Sequence, residues 1–234
     1  MKLQSFGKNN VAIVFGSSGG IGAACKRELI NSNSFSSVIA FSRDENGFDI
    51  KSESSIKDSI NQINSKEKIR LAIDATGFLQ DNHQKPEKTF KHFEKNLALH
   101  CFHINAIGPL LLMKNLFPHL PRKGKTVFAT LSARVGSIGD NRSGGWYSYR
   151  ASKAALNQFV RTAALELSRT HPEAICVALH PGTVKTDLSK PFLKENNTAF
   201  APDESAKQLL TVIDNLRNNA TGGFFDWSGN NIPW

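Results

Sequence analysis

"NVAIVFGSSGGIGAACKRELINS", residues 10–32, decides the fold. Its first seven residues, 10–16, form a short apolar run ending in glycine, the pattern of a strand buried on both faces of a parallel sheet. From residue 19 small side chains lead into helical spacing. A strand that turns through glycines directly into a helix is where a doubly wound fold binds phosphate, because the first helical amides lack intrahelical partners and face an anion. Gly16 permits the tight turn, Gly20 lets the backbone approach a pyrophosphate, and Gly22 lets the helix lie close to the sheet. Glycines alone also simply make turns; the flanking strand and helix are what favour the phosphate loop.

The alternation continues along the chain. "SSVIAFSR" (36–43), "RLAIDATG" (70–77), "KTVFATLSA" (125–133) and "AICVALHPG" (174–182) read as strands. "IKDSINQINSKEKI" (56–69) and "SYRASKAALNQFVRTAALELSRT" (148–170) read as helices, and 88–120 as a long helix interrupted near Gly108-Pro109. This order predicts an α/β fold: a doubly wound, Rossmann-type parallel sheet of about seven strands, helices on both faces, in one domain over 1–234. The polar, proline-marked stretch 188–205 is either a substrate lid or an insertion without that role.

Hydrophobic residues at 40% and charged residues at 21% are enough for a real core and exclude a disordered chain. No apolar run reaches bilayer-spanning length, and "MKLQSFGKNN" carries no signal-peptide core, so no membrane partner is expected. Cys25, Cys101 and Cys176 are too scattered for a disulfide framework or a metal cluster, and the seven histidines show no ligand spacing. No metal is therefore assigned, and the expected location is a reducing cytoplasm. The formal charge of +9 suits an anionic ligand. Its basic residues are dispersed, so a specific nucleic-acid partner is not expected.

In "WYSYRASK" (146–153), Tyr149 and Lys153 are four residues apart and share a helix face, whereas Tyr147 points elsewhere. On their own they would read as an exposed pair on an amphipathic helix. The G-x-x-x-G-x-G loop at 16–22 followed by Tyr149-x-x-x-Lys153 in this order resembles the short-chain dehydrogenase/reductase family across essentially the whole chain. "NRSGGWYSYRASKAALNQ" and the ending "GGFFDWSGNNIPW" resemble its C-factor-like, carbonyl-reductase-like subgroup.

The resemblance implies a nicotinamide cofactor held by Gly16, Ser17, Ser18, Gly20, Ile21 and Gly22. It implies Asp49 and Ile50 around adenine, and Ala75, Thr76 and Gly77 along the cofactor. Pro181, Gly182, Val184 and Thr186 would lie at its carboxamide and phosphates. It further implies Tyr149 as acid/base, Lys153 as its partner and ribose ligand, and Asn105 in the proton relay. At the second strand's end Ser42 and Arg43 stand where NAD enzymes place a carboxylate, so NADP(H) is favoured. NAD(H) stays open through Asp44 and Glu45 if the strand boundary slips.

Two positions depart from the family pattern. Asp74 replaces an asparagine, and Ala133 replaces the serine that polarises the substrate. Ser132 and Ser137 are the available substitutes, and Ser132 serves if the strand bulges at its end. The reading is an NADP(H)-dependent oxidoreductase acting on a small carbonyl or secondary alcohol, assembled as a homodimer or homotetramer. The alternative is a cofactor-binding signalling or regulatory protein on the same fold.

Overall fold

The computed structural model of the chain describes residues 2–63, 68–81, 84–193 and 199–234. Within these, six strands form one sheet: β1 (Asn10–Phe15), β2 (Ser37–Phe41), β3 (Lys68–Asp74), β4 (Thr126–Leu131), β5 (Ala174–His180) and β6 (Phe224–Asp226). Every pairing is parallel, in the order β2-β1-β3-β4-β5-β6. The helices are α1 (Gly20–Ser32), α2 (Arg43–Asn46), α3 (Glu53–Asn61), α4 (Lys95–Phe102), α5 (Gly108–Leu116), α6 (Tyr147–Thr170) and α7 (Pro202–Asn215).

The central strands are apolar throughout because both faces are covered. Val11, Ile13 and Phe15 of β1 join a core with Leu112 and Leu116 of α5 and Leu156 and Val160 of α6. Ala12 and Val14 face the other way, onto Leu29 of α1 and Leu209 and Ile213 of α7. Burying each such side chain stabilises the fold by about 1.5–3 kcal/mol. Phe15, Phe41 and Phe48 stack around the end of β1, with ring centroids 5.3–6.2 Å apart.

The structure differs from the sequence expectation in several places. Six strands are formed among the described residues rather than about seven, and residues 48–50 belong to none of them. There the Asp49 N–H donates to Ser55 Oγ at 2.9 Å. The long helix begins at Lys95 and is not broken at Gly108-Pro109. A π-turn over His103–Ile107 widens the ladder just before the proline, with the Gly108 N–H reaching back to the His103 carbonyl.

Lys95–His119 is also long and apolar enough, by length and composition, to cross a membrane. Polar residues interrupt it, which is why no continuous apolar run signals it, and its Leu97, Cys101, Leu112, Met113 and Leu116 are buried in the fold. Finally, residues 202–205 of the expected lid are the first turn of α7, and Lys190–Phe192 is a short 3-10 turn. The expected helix 56–69 ends at Asn61, and its residues 68–69 instead open β3. Residues 194–198 of the expected lid, and 64–67 of that helix, lie outside the described residues.

From β1 the chain steps outward to β2 on one side and to β3 on the other, so the loops at their carboxyl ends diverge and leave a crevice. Gly16, at φ +78°, starts the turn, and the amides of Gly16 and Ser17 donate to the Phe41 carbonyl at 2.8 and 3.1 Å. A Cβ on Gly22 would collide with the Gly16 carbonyl oxygen, whereas one on Gly19 would make ordinary contact at 3.5 Å. Gly22→Ala is therefore expected to lose about 1–3 kcal/mol of stability by overpacking. Gly19→Ala should be nearly neutral, and denaturant midpoints of the two variants check the contrast.

Candidate functional site

A groove of about 470 Å³ opens in that crevice. Ser42, Arg43, Asp49 and Ile50 border one end, Gly16 and Ser18 lie along it, and Ala75, Thr76 and Gly77 form the opposite wall. Ser42 caps α2, its hydroxyl accepting the Glu45 N–H at 3.2 Å. Arg43 is exposed and has no ion-pair partner among the described residues. Glu45 is occupied elsewhere, 3.0 Å from Lys26 and bonded by the Ser17 hydroxyl at 3.4 Å.

The first helical bond of α1 runs from the Ala23 N–H to the Gly19 carbonyl, so the amides of Gly20, Ile21 and Gly22 precede the ladder. Gly20 does not itself line the groove. Its Cβ would lie 2.6 Å from Thr186 Cγ2, so this glycine makes room for the segment after β5. In that segment Pro181 accepts a bond from the Ser205 hydroxyl at 2.9 Å. Gly182 is at φ +78° against Phe200 and Trp227, Val184 is buried, and Thr186 Oγ1 is 3.2 Å from Ser189 Oγ.

Asp74 is fully buried yet well partnered. Its Oδ1 accepts from the Thr76 N–H at 3.0 Å and the Thr76 hydroxyl at 2.6 Å, and its Oδ2 accepts from Thr130 Oγ1 at 2.7 Å. Burial pushes its pKa up, opposed by the threonine bonds and by the nearby Lys153 charge. Asn105, also fully buried, stands in the π-turn. Its Oδ1 accepts the Phe78 N–H at 2.7 Å, while its Nδ2 donates to the Phe78 carbonyl at 2.8 Å and to Ser152 Oγ at 3.0 Å. It thereby ties the loop after Gly77 to α6.

Lys153 is 3% exposed, and its Nζ donates to the Leu131 carbonyl at 2.8 Å. Burial lowers its pKa to about 8, with Asp74 and Cys101 opposing the shift. Tyr149, on the preceding turn, is half-buried, with its ring centroid 6.0 Å from that ammonium. Burial pushes the phenol pKa up, and Cys101 adds to the rise. In the protein by itself, then, Tyr149 is a protonated phenol.

The strand under this pair is regular. Ala133 is extended (φ −145°, ψ 142°), and the Ser132 N–H continues the ladder to the Leu179 carbonyl at 2.8 Å. The bulge that would have turned Ser132 towards Tyr149 is not formed. Instead, Ser132 Oγ donates to Asn157 Oδ1 at 2.6 Å. Ser137 is buried, and its hydroxyl accepts the Asp140 N–H at 3.1 Å.

Sequence reasoning missed several residues around this site. Asn157 lies one turn beyond Lys153, and the same helical spacing that pairs Tyr149 with Lys153 could have found it. Trp146 meets the Tyr149 ring edge-on at 6.1 Å and the Phe192 ring at 4.9 Å. Glu87 is buried against the start of α6 and bonds Ser148. No local pattern announces such a contact between distant segments.

The family model for short chain dehydrogenases matches residues 10–197. The chain is 42% identical over 134 residues to C-signal of Myxococcus xanthus, a match covering 57% of this chain and 76% of that protein. It is 40% identical over 131 residues to 1-hydroxy-2-glutathionyl-2-methyl-3-butene dehydrogenase of Rhodococcus sp. (strain AD45), which covers 56% of each. In that second case the match spans little more than half of the relative's length.

Among solved structures, the NADPH-bound carbonyl reductase from chicken fatty liver superposes with a TM-score of 0.85 at 26% identity, over 99% of this chain and 97% of that one. The carbonyl reductase Sniffer of D. melanogaster shares the fold at a TM-score of 0.80 and 20% identity, over 97% and 100%. With the family match running from β1 past the segment after β5, this chain belongs to the short chain dehydrogenase family.

Proposed function

We propose that the protein is an NADP(H)-dependent oxidoreductase that interconverts a carbonyl compound and a secondary alcohol, with Tyr149 as acid/base and Lys153 as its partner. The observation that carries this reading is the junction at Gly77. This residue lines the groove, and a Cβ built on it would lie 3.8 Å from Lys153 Nζ and 3.7 Å from Asn105 Oδ1. The groove thus reaches the Tyr–Lys helix, whose ammonium a Cβ at 77 would meet in ordinary contact.

The residues present fit such a cofactor. Gly16 has no room for a side chain, and the unladdered amides of α1 suit a pyrophosphate. The free guanidinium of Arg43 suits a ribose phosphate, while Ser42 adds no repelling charge and Glu45 is committed to Lys26. Asp49 and Ile50 would border adenine, and Pro181, Gly182, Val184 and Thr186 the opposite end. When bound, the nicotinamide supplies the hydride. Tyr149 gives a proton from its phenol oxygen to the carbonyl oxygen, and Lys153 holds positive charge one helical turn away, favouring the phenolate that remains. With Ser132 engaged by Asn157 and Ala133 lacking a hydroxyl, Ser137 or a water completes the polarising contact.

Ala133, together with the likeness to C-signal, favours a second reading, a regulatory protein that binds the cofactor with little turnover. Reduction of a panel of aldehydes and ketones by NADPH separates the two. The three buried free cysteines suit a reducing cytoplasm. Leu99, Ile107 and Leu165 are 59%, 44% and 50% exposed on the long helices, which supports burial of these faces in a homodimer or homotetramer.

NADPH binds more tightly than NADH, and Arg43→Ala removes about 1–3 kcal/mol of that difference. Equal dissociation constants for the two cofactors in the wild type would sink the NADP assignment.

Tyr149→Phe lowers turnover by about 10²–10⁴, the usual worth of a positioned acid. If the Lys153 charge is needed, kcat/KM of the free enzyme falls as pH rises through about 8. The same depressed pKa means that the charged lysine costs stability at neutral pH, a cost relieved between about 8 and the ordinary 10.5. A pH–rate profile flat across that range contradicts the role given to Lys153.

Sedimentation of the wild type gives a mass above that of one chain, and Leu99→Glu with Leu165→Glu shifts it towards one chain. A wild type that sediments as a single chain at all concentrations excludes the assembly.

A further inference from the structure

The helix that carries Tyr149 does not cap itself. Its N-cap position is Trp146, held at φ +55° with no side-chain cap bond, and an indole offers no oxygen to the orphan amides of the first turn. The acceptor comes from 61 residues upstream of Ser148. Glu87 is 3% exposed; its Oε2 accepts the Ser148 N–H at 3.2 Å, and its Oε1 accepts the Ser148 hydroxyl. Its backbone carbonyl accepts the Trp146 N–H as well. The two backbones lie so close that a Cβ on Gly145, itself at φ +65°, would stand 3.3 Å from the Lys88 carbonyl oxygen. Glu87 has no ion-pair partner among the described residues, and its negative charge sits where the helix dipole favours one.

We propose that Glu87 is a positioning residue for Tyr149: its carboxylate replaces the missing N-cap of α6 and holds in place the turn from which the phenol projects. The proposal rests on the reading of Tyr149 as acid/base. Tyr149 is the third residue of α6, within the turn that frays first in an uncapped helix. The next turn has anchors of its own, Ser152 through Asn105 and Lys153 through the Leu131 carbonyl, while the Ser152 hydroxyl also donates to the Tyr149 carbonyl at 2.8 Å. Loss of the cap therefore loosens the turn that carries Trp146 and Tyr149, while Lys153 keeps its own anchor. Turnover should suffer while cofactor binding does not.

The test uses the full-length chain as wild type, Glu87→Ala and Glu87→Gln, with 4-nitrobenzaldehyde as the carbonyl probe. Glu87→Ala is expected to speed hydrogen exchange at the amides of residues 148–150 about tenfold, the factor a lost cap typically costs a local equilibrium. Exchange over residues 156–167 should be unchanged. Its kcat should fall by a similar factor with an unaltered dissociation constant for NADPH. Glu87→Gln keeps one acceptor oxygen and should fall between the two. Unchanged exchange at 148–150 overturns the cap, whatever happens to turnover. Faster exchange along the whole helix, with NADPH binding lost in parallel, also overturns it, because Glu87 is then only a residue of the general fold. A wild type inert towards carbonyls whose Glu87→Ala variant still frays at 148–150 sinks the oxidoreductase reading and leaves the cap standing.

Discussion

The backbones that leave β1 and β3 touch at the carboxyl edge of the sheet, and the rest of the site is arranged around that contact. A Cβ on Gly16 would lie 2.9 Å from the carbonyl carbon of Ala75, and the Ala75 N–H donates to the Phe15 carbonyl at 2.9 Å. Two loops that diverge at a switch point ordinarily leave a gap; here glycine lets them close at their base and open only above it. The groove is the part that stays open. The start of α1 is brought down onto the same turn, because Gly22 leaves the Gly16 carbonyl uncovered.

Asp74 sets the opposite wall. A carboxylate in a fully buried position is costly unless it is bonded, and this one accepts three hydrogen bonds from two threonines. It links the ends of β3 and β4 through Thr130, with which it is in register, and its Thr76 bonds shape the turn that presents Gly77. The residue after Thr130 is Leu131, whose carbonyl receives Lys153 Nζ. A negative group at 74 therefore lies near the buried ammonium and partly offsets the desolvation that lowers its pKa. An asparagine could make similar bonds to the threonines but would not supply that charge.

Beyond Gly77 the surroundings become aromatic. Trp146 stands between Tyr149 and Phe192, and Phe192 belongs to the segment that precedes residues 194–198. Phe200, on the far side of that segment, packs on Trp227 at 4.8 Å. The proposed reacting end is thus flanked by the rings of Trp146 and Phe192, and the groove itself mixes polar loops with Phe48, Ile50, Phe78 and Leu188.

The local signals in the sequence carried the fold. Apolar runs at 10–16, 70–77, 125–133 and 174–182 could be satisfied only between two helical layers, and the glycine spacing at 16–22 marked the crevice. Tyr149 and Lys153 were legible as a pair because helical periodicity is a local property. What tertiary structure decided is what depends on partners distant in sequence. Gly20 reads as space for a phosphate until Thr186 arrives beside it, and Ser132 reads as a free hydroxyl until Asn157 Oδ1 accepts its hydrogen bond. Gly108-Pro109 reads as a break until a π-turn absorbs the missing N–H. Glu87 carries no local signal, and its role comes only from the start of α6 being placed against it. Tyr149 and Lys153 have ordinary pKa values in an open chain. Their opposite shifts arise from burial, which no single stretch of residues encodes.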